Sequence, residues 1–220
     1  MDPIEKYIRE FSSPEDPLLT RLDRETHQRA IHPQMVSGHI QGKLLGMLVD
    51  MVRPEHILEI GTFTGYSALS MAAALSDNGT IDTIEADDEL EDMIRSYLAE
   101  SPVGHKVRLH IGSALNVAPR LGLRFDMVFV DGDKREYPAY YRMLMGDGEF
   151  SETGPLVREG SYIMADNILW YGKVAEPTVY TDPHTTAINA FNRMVAEDDR
   201  VENVILPLRD GINLIRVKYI

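Results

Sequence analysis

From His56 onward, short apolar runs alternate with amphipathic stretches, and this alternation restricts the possible folds more than any other feature of the chain. The runs His56–Ile60, Thr80–Glu85, Val107–Ile111 and Phe125–Val130 are each followed by a stretch of helical spacing, at 65–77, 88–100, 113–121 and 135–146. Repeated strand-then-helix order predicts a parallel sheet, because parallel neighbours need a crossover that returns the chain to the same end. Ser161–Ala165 reads as a fifth strand and 185–199 as a helix. Two late strands at 202–206 and 212–217 are separated by the turn residues Pro207, Asp210 and Gly211. The expected fold is α/β: a Rossmann-like, doubly wound, seven-stranded sheet, mostly parallel with a C-terminal antiparallel hairpin and flanked by helices.

Before Pro54 the texture is helical. Ser13-Pro14-Glu15-Asp16 and Ser37 both read as helix starts, the second preceding Ile40, Leu44, Leu45, Leu48, Val49 and Val52 at helical spacing. A chain of 220 residues fits one domain, with 1–52 as extra N-terminal helices and 53–220 as the ligand-binding core.

Charge and composition exclude several functions. A formal net charge of −13, with no Lys/Arg run to make a local basic groove, argues against a nucleic-acid partner. The absence of cysteine rules out disulfides, thiolate metal sites and a cysteine nucleophile. The seven histidines form no HxxxH or HExxH pair, so any metal is expected on oxygen ligands. The opening MDPIEKYIREF has no apolar stretch suited to a signal peptide or membrane helix, which points to the cytoplasm and away from a membrane.

In a doubly wound sheet, ligands bind at the carboxyl ends of the strands where the strand order reverses. The first strand runs into Glu59-Ile60-Gly61-Thr62-Phe63-Thr64-Gly65-Tyr66-Ser67, a strand, glycine turn and helix start in sequence. Its GxxxG spacing lacks the third glycine of the dinucleotide fingerprint, which weakens a nicotinamide reading. Glu59 could accept hydrogen bonds from an ammonium or amide, and Glu85, ending the second strand, could take both hydroxyls of a ribose. The small residues of Gly112-Ser113-Ala114 could admit an adenine ring. Each of these, taken alone, is also compatible with an ordinary turn or a solvated strand end.

The fourth strand ends in Asp131-Gly132-Asp133-Lys134, and the fifth exits into Asp166-Asn167. Charge at the end of a strand covered on both faces is costly unless paired or bound to a metal. If the two strands are neighbours, Asp131, Asp166 and Asn167 converge. Two carboxylates and an amide carbonyl suit Mg²⁺, Mn²⁺ or Ca²⁺ with open positions for water or substrate. Lys134 is close enough in sequence to enter the same crevice, and a lysine beside a metal suggests proton abstraction.

EIGTFTGYSAL, GSALNVAPRL, FVDGDKREYPAYY and ADNILWYGKV resemble the motifs of the cation-dependent class I O-methyltransferases, the caffeoyl-CoA and catechol O-methyltransferase family. The match runs from about Met35 through the C-terminal strands. The resemblance implies that Ser37, Gly61, Phe63, Ser67, Glu85, Ala114 and Asp131 line an S-adenosylmethionine pocket, with Glu59 and Asp133 close by. It likewise implies Asp131, Asp166 and Asn167 as metal ligands, Lys134 as catalytic base, and a small phenolic acceptor with two adjacent oxygens. Trp170 and Tyr171 are candidate acceptor contacts. Tyr171 stands where the plant caffeoyl-CoA enzymes have an asparagine, which points away from caffeoyl-CoA itself. The family also implies a homodimer paired through the N-terminal helices and the sheet edge. The loop from Tyr171 to His184 and the N-terminal helices are expected to wall the acceptor site. Two other readings share these motifs: a tRNA hydroxyuridine O-methyltransferase, and a non-catalytic S-adenosylmethionine-binding protein.

Overall fold

The computed structural model describes residues 3–220; Met1 and Asp2, at the head of the expected helical segment, lie outside the described residues. Seven strands, β1 (His56–Ile60), β2 (Thr80–Glu85), β3 (Val107–Ile111), β4 (Phe125–Val130), β5 (Val157–Asp166), β6 (Val201–Leu206) and β7 (Ile212–Val217), form one sheet in the order β3-β2-β1-β4-β5-β7-β6. β1 to β5 pair in parallel, and β7 runs antiparallel to both β5 and β6. The strand order reverses between β1 and β4, so the crevice opens above Ile60 and Val130.

Burial on both faces explains why the central strands read as continuous apolar runs. On one face Leu58, Ile60 and Val128 pack with Tyr137, Leu144, Ile188 and Phe191 from α7 (Tyr137–Met145) and α8 (Pro183–Ala196). On the other, Ile57, Met127 and Phe129 meet Leu45, Val49, Ala68 and Met71 from α3 (Gly38–Val52) and α4 (Tyr66–Ala72). Burying each of the Leu, Ile, Val, Met and Phe side chains among these contributes roughly 1.5–3 kcal/mol. Gly42 permits close approach of α3 to α4: a Cβ there would lie 2.6 Å from Ser70 Oγ. This contact seats the first turns of α3 over the carboxyl end of the sheet.

The N-terminal segment is helical as expected, with α1 (Pro3–Phe11) and α2 (Pro17–Arg29) preceding α3. Asp16 caps α2 through Leu18 N at 2.7 Å. α2 is tied to the core by Leu22, which clusters with Tyr66, Leu69 and Tyr97, and by a Thr26–Thr64 hydroxyl bond of 2.9 Å. Ser37 does begin α3, but its side chain makes no capping hydrogen bond.

Several expected boundaries move. β5 begins at Val157 rather than Ser161, because an irregularity after Phe125 absorbs Arg158 to Gly160. Ser161 Oγ closes the bulge by accepting from Arg158 N and donating to Phe125 O. α4 stops at Ala72, short of the expected 77. The 113–121 stretch is one short turn, α6 (Ala114–Val117), followed by a 3-10 turn with Pro119 near its start. α8 starts two residues earlier than expected, capped by Asp182 through Thr185 N. The 88–100 stretch divides into a 3-10 turn and α5 (Glu91–Glu100). Among the described residues, no helix is long and apolar enough to cross a membrane.

Candidate active site

The crevice is built from four neighbouring strand ends, those of β3, β2, β1 and β4. Gly61 N donates to Ile84 O, Asp131 N to Ile60 O, and Gly112 N to Glu85 O, so the ladder continues one residue beyond the strands and aligns their loops. Gly61 has φ 94°, and a Cβ there would lie 2.4 Å from Asp131 O. Only glycine fits, because a side chain would collide with backbone that also carries a candidate ligand.

Glu59 is fully buried at the end of β1. Its Oε2 accepts from Thr83 Oγ1 at 2.5 Å, and Thr83 in turn meets Thr62 Oγ1 at 2.6 Å. Its Oε1 has no protein partner. Burial pushes the carboxyl up to about 8; the Ser67 and Thr83 hydroxyls oppose this, while the charges of Asp131 and Glu85 reinforce it. A buried carboxyl oxygen without a partner beside a glycine turn fits a ligand that brings its own donor, such as an amino group.

Glu85 closes the other side of the loop. Its Oε2 accepts from Phe63 N at 2.6 Å and its Oε1 from Asp87 N at 2.9 Å, while burial holds the carboxyl above the usual range. Each oxygen keeps acceptor capacity for a hydroxyl. Phe63 adopts φ 50°, Ser67 is buried in the first turn of α4, and Ala114 is buried at the start of α6. Ser37 is buried at the head of α3. Asp133 is differently engaged. It caps the turn that follows through Arg135 N and holds the Arg135 guanidinium, which keeps its carboxyl below the usual range.

At the junction of β4 and β5, the pairing of Val130 with Ala165 brings the following residues, Asp131 and Asp166, side by side. Lys134 is buried and donates to Asp131 Oδ1 at 2.6 Å and to Tyr137 Oη at 2.9 Å. Burial raises the Asp131 carboxyl above the usual range; Lys134 counteracts this and the like charge of Asp166 adds to it. Asn167 stands at φ 57° and its N–H donates to Asp166 Oδ1 at 2.8 Å. Among the described residues no three His, Cys, Asp or Glu side chains form a metal cluster. The candidate set is instead a buried carboxylate, Asp166, a half-buried one, Asp131, and an amide, an oxygen-only group in which a hard divalent cation would relieve the repulsion of the two carboxylates.

The loop after Asn167 holds an unusual backbone. Trp170 (φ 45°) and Tyr171 (φ 56°) join Asn167 in the left-handed region, a cluster of non-glycine strain of the kind found at ligand sites. Asp210 Oδ1 accepts from Tyr171 N at 2.7 Å, and Asp210 O from Leu169 N at 2.9 Å. Trp170 stacks on His184 at 5.3 Å, and Tyr171 is 75% exposed.

Sequence reasoning did not single out Gln41, Tyr137 or Arg209, and it read Asp210 only as a turn residue. Gln41 left a clue: it lies on the stripe of Leu45 and Val49, where a buried polar side chain must have a partner. Tyr137 carries no local signal that sets it apart from Tyr140 and Tyr141 in the same helix, yet burial keeps its hydroxyl protonated and it accepts from Lys134 Nζ. A separate cavity of about 380 Å³, between α2, α3 and α4, has none of the candidate residues in its lining.

Residues 9–218 match the model of a family described as O-methyltransferase. The caffeoyl-CoA O-methyltransferase of Petroselinum crispum is 32% identical, over 98% of this chain and 90% of its own. Tricin synthase 1 of Oryza sativa subsp. japonica is 34% identical, over 89% of this chain and 79% of its own. Among solved structures, the O-methyltransferase TomG from Streptomyces achromogenes, involved in tomaymycin synthesis and determined in complex with SAM, aligns with a TM-score of 0.87 at 30% identity, covering 99% of this chain and 96% of that one.

Proposed function

The chain belongs to the O-methyltransferase family, and on that premise we propose that it moves a methyl group from S-adenosylmethionine to a hydroxyl of a small phenolic acceptor with a vicinal oxygen, such as a catechol. The observation that carries this reading is the buried Lys134, 2.6 Å from Asp131 at the strand end adjoining Asp166. The proposed base and oxygen donors would then meet at the carboxyl ends of β4 and β5, next to the reversal between β1 and β4.

The cofactor would lie over the Gly61 turn. Glu59, with its unpartnered Oε1, would receive the amino group, and Glu85 the ribose hydroxyls. Ser37, Phe63, Ser67, Ala114, Asp131 and Asp133 would complete the pocket wall. Asp131, Asp166 and Asn167 would hold a divalent cation, Mg²⁺ or else Mn²⁺ or Ca²⁺, which when bound supplies positive charge that stabilises a phenolate.

Lys134 Nζ would accept the acceptor's hydroxyl proton, and Tyr137 Oη, itself fixed to Asp166 O at 2.8 Å, would aim it. Trp170 and Tyr171 would form an aromatic wall that excludes water and stacks on the acceptor ring. Holding oxygen and methyl carbon in line can supply roughly 7–11 kcal/mol, so this positioning is the main catalytic contribution expected of the chain.

This reading treats the chain as one domain, with 1–52 walling the acceptor site and 53–220 carrying cofactor and cation. It also includes a homodimer, supported by exposed Tyr7 and Phe11 on α1 and by Val204 and Ile205 on the sheet edge. The functional test is transfer of labelled methyl from S-adenosylmethionine to catechols, flavonoids, hydroxycinnamoyl esters and tRNA. Transfer to catechol-like acceptors is expected. Transfer to tRNA alone, or cofactor binding with no transfer, would overturn the reading.

A further inference from the structure

Gln41 is fully buried in the first turn of α3, with both ends of its amide engaged. Its Nε2 donates to Asp166 Oδ2 at 2.6 Å, and its Oε1 accepts from the Arg209 guanidinium at 2.9 Å. The chemistry of the neighbours fixes the amide orientation: a guanidinium can only donate and a carboxylate can only accept. The same Arg209 nitrogen donates to Val36 O at 3.0 Å and to Ser37 O. Arg209 reaches these acceptors from the Leu208–Gly211 turn, where its own φ is 50°.

We propose that Gln41 and Arg209 are positioning residues that act in series to hold the Asp166 carboxylate in its cation-binding orientation and to tie it to the Ser37 segment of the cofactor pocket. The inference rests on the proposed cation site. Asp166 takes one protein hydrogen bond on each oxygen, from Gln41 Nε2 and from Asn167 N, which fixes its plane while leaving lone pairs for a cation. A chain of contacts therefore crosses three distant segments: the turn before β7 through Arg209, the head of α3 through Gln41, and the end of β5 at Asp166. A glutamine that only satisfied the core would not need to make its bonds to a candidate ligand and a guanidinium.

The test is Mn²⁺ affinity, read from the free-ion electron paramagnetic resonance signal, for the full-length wild type, Gln41→Met, Arg209→Met and the double variant. S-adenosylhomocysteine affinity and Tm are measured alongside. Gln41→Met should weaken Mn²⁺ binding by about 10–100-fold, the range for lost support of a metal ligand, with S-adenosylhomocysteine affinity unchanged. Arg209→Met should weaken Mn²⁺ several-fold, and the double variant should be no weaker than Gln41→Met. Arg209 is on the surface, so its variant decides the matter if Gln41→Met does not fold. Either variant binding Mn²⁺ within twofold of wild type, or additive losses in the double, overturns the proposal. A wild type that binds no Mn²⁺ overturns the cation site itself, a result distinguishable from the first.

Discussion

The hydroxyl of Tyr137 lies 2.8 Å from the main-chain carbonyl of Asp166 and accepts from Lys134 Nζ at 2.9 Å. One buried phenol thus joins the end of β5 to the lysine that follows β4. Tyr137→Phe removes the link while keeping the ring against Phe191. It should cost about 1–3 kcal/mol of stability, because it leaves buried polar groups unpaired, and should lower kcat more than it raises KM. Urea unfolding and steady-state kinetics check both. Unchanged kcat would leave Tyr137 a purely structural clamp.

Lys134→Ala should reduce kcat by about 10²–10⁴-fold, the usual contribution of a positioned base, while S-adenosylhomocysteine affinity stays within a few-fold of wild type. Calorimetric titration and single-turnover methyl transfer separate the two. Parallel losses would mean that the lysine mainly neutralises Asp131.

Removal of divalent cations by excess EDTA should abolish methyl transfer, and added Mg²⁺ should restore it, since Asp131, Asp166 and Asn167 provide only oxygen donors. Full turnover in EDTA would eliminate the cation role.

Glu59 makes stability depend on pH. Its folded-state value of about 8 lies above the ordinary 4.5, so between these limits the folded chain holds a proton that the unfolded chain has released. The associated stability is present at low pH and is lost as pH rises through this window, by up to about 1.4 kcal/mol per pH unit. Glu59→Gln should flatten that dependence in urea unfolding of the ligand-free protein from pH 5 to 8. An identical slope in the variant would show that Glu59 ionises freely in the fold.

Much of the architecture is legible because strands record their surroundings locally. His56–Ile60, Thr80–Glu85, Val107–Ile111 and Phe125–Val130 have the expected bounds, since each short run is rich in buried apolar residues and the flanking turns break it, although β3, at the sheet edge, exposes Arg108. β5 was legible only from Ser161, because the bulge at Arg158–Gly160 interrupts that pattern. α4 ends early although its helical spacing continues and Leu75 still packs in the core, because Ala74 N and Leu75 N bond three residues back, to Met71 O and Ala72 O, a change of turn that periodicity does not mark.

By itself the sequence determined the sheet, the order of its elements, and the chemical types gathered at the strand ends: Glu59, Glu85, Asp131, Lys134, Asp166 and Asn167. Tertiary structure alone decided which of them touch and what supports them. Lys134 reaches Asp131 within one turn, a local relation that spacing could suggest. Gln41 meets Asp166 from 125 positions away, and Arg209 meets Ser37 from 172. Such contacts form only when α3 closes on α4 and β7 pairs with β5, and no local periodicity encodes the distance between them.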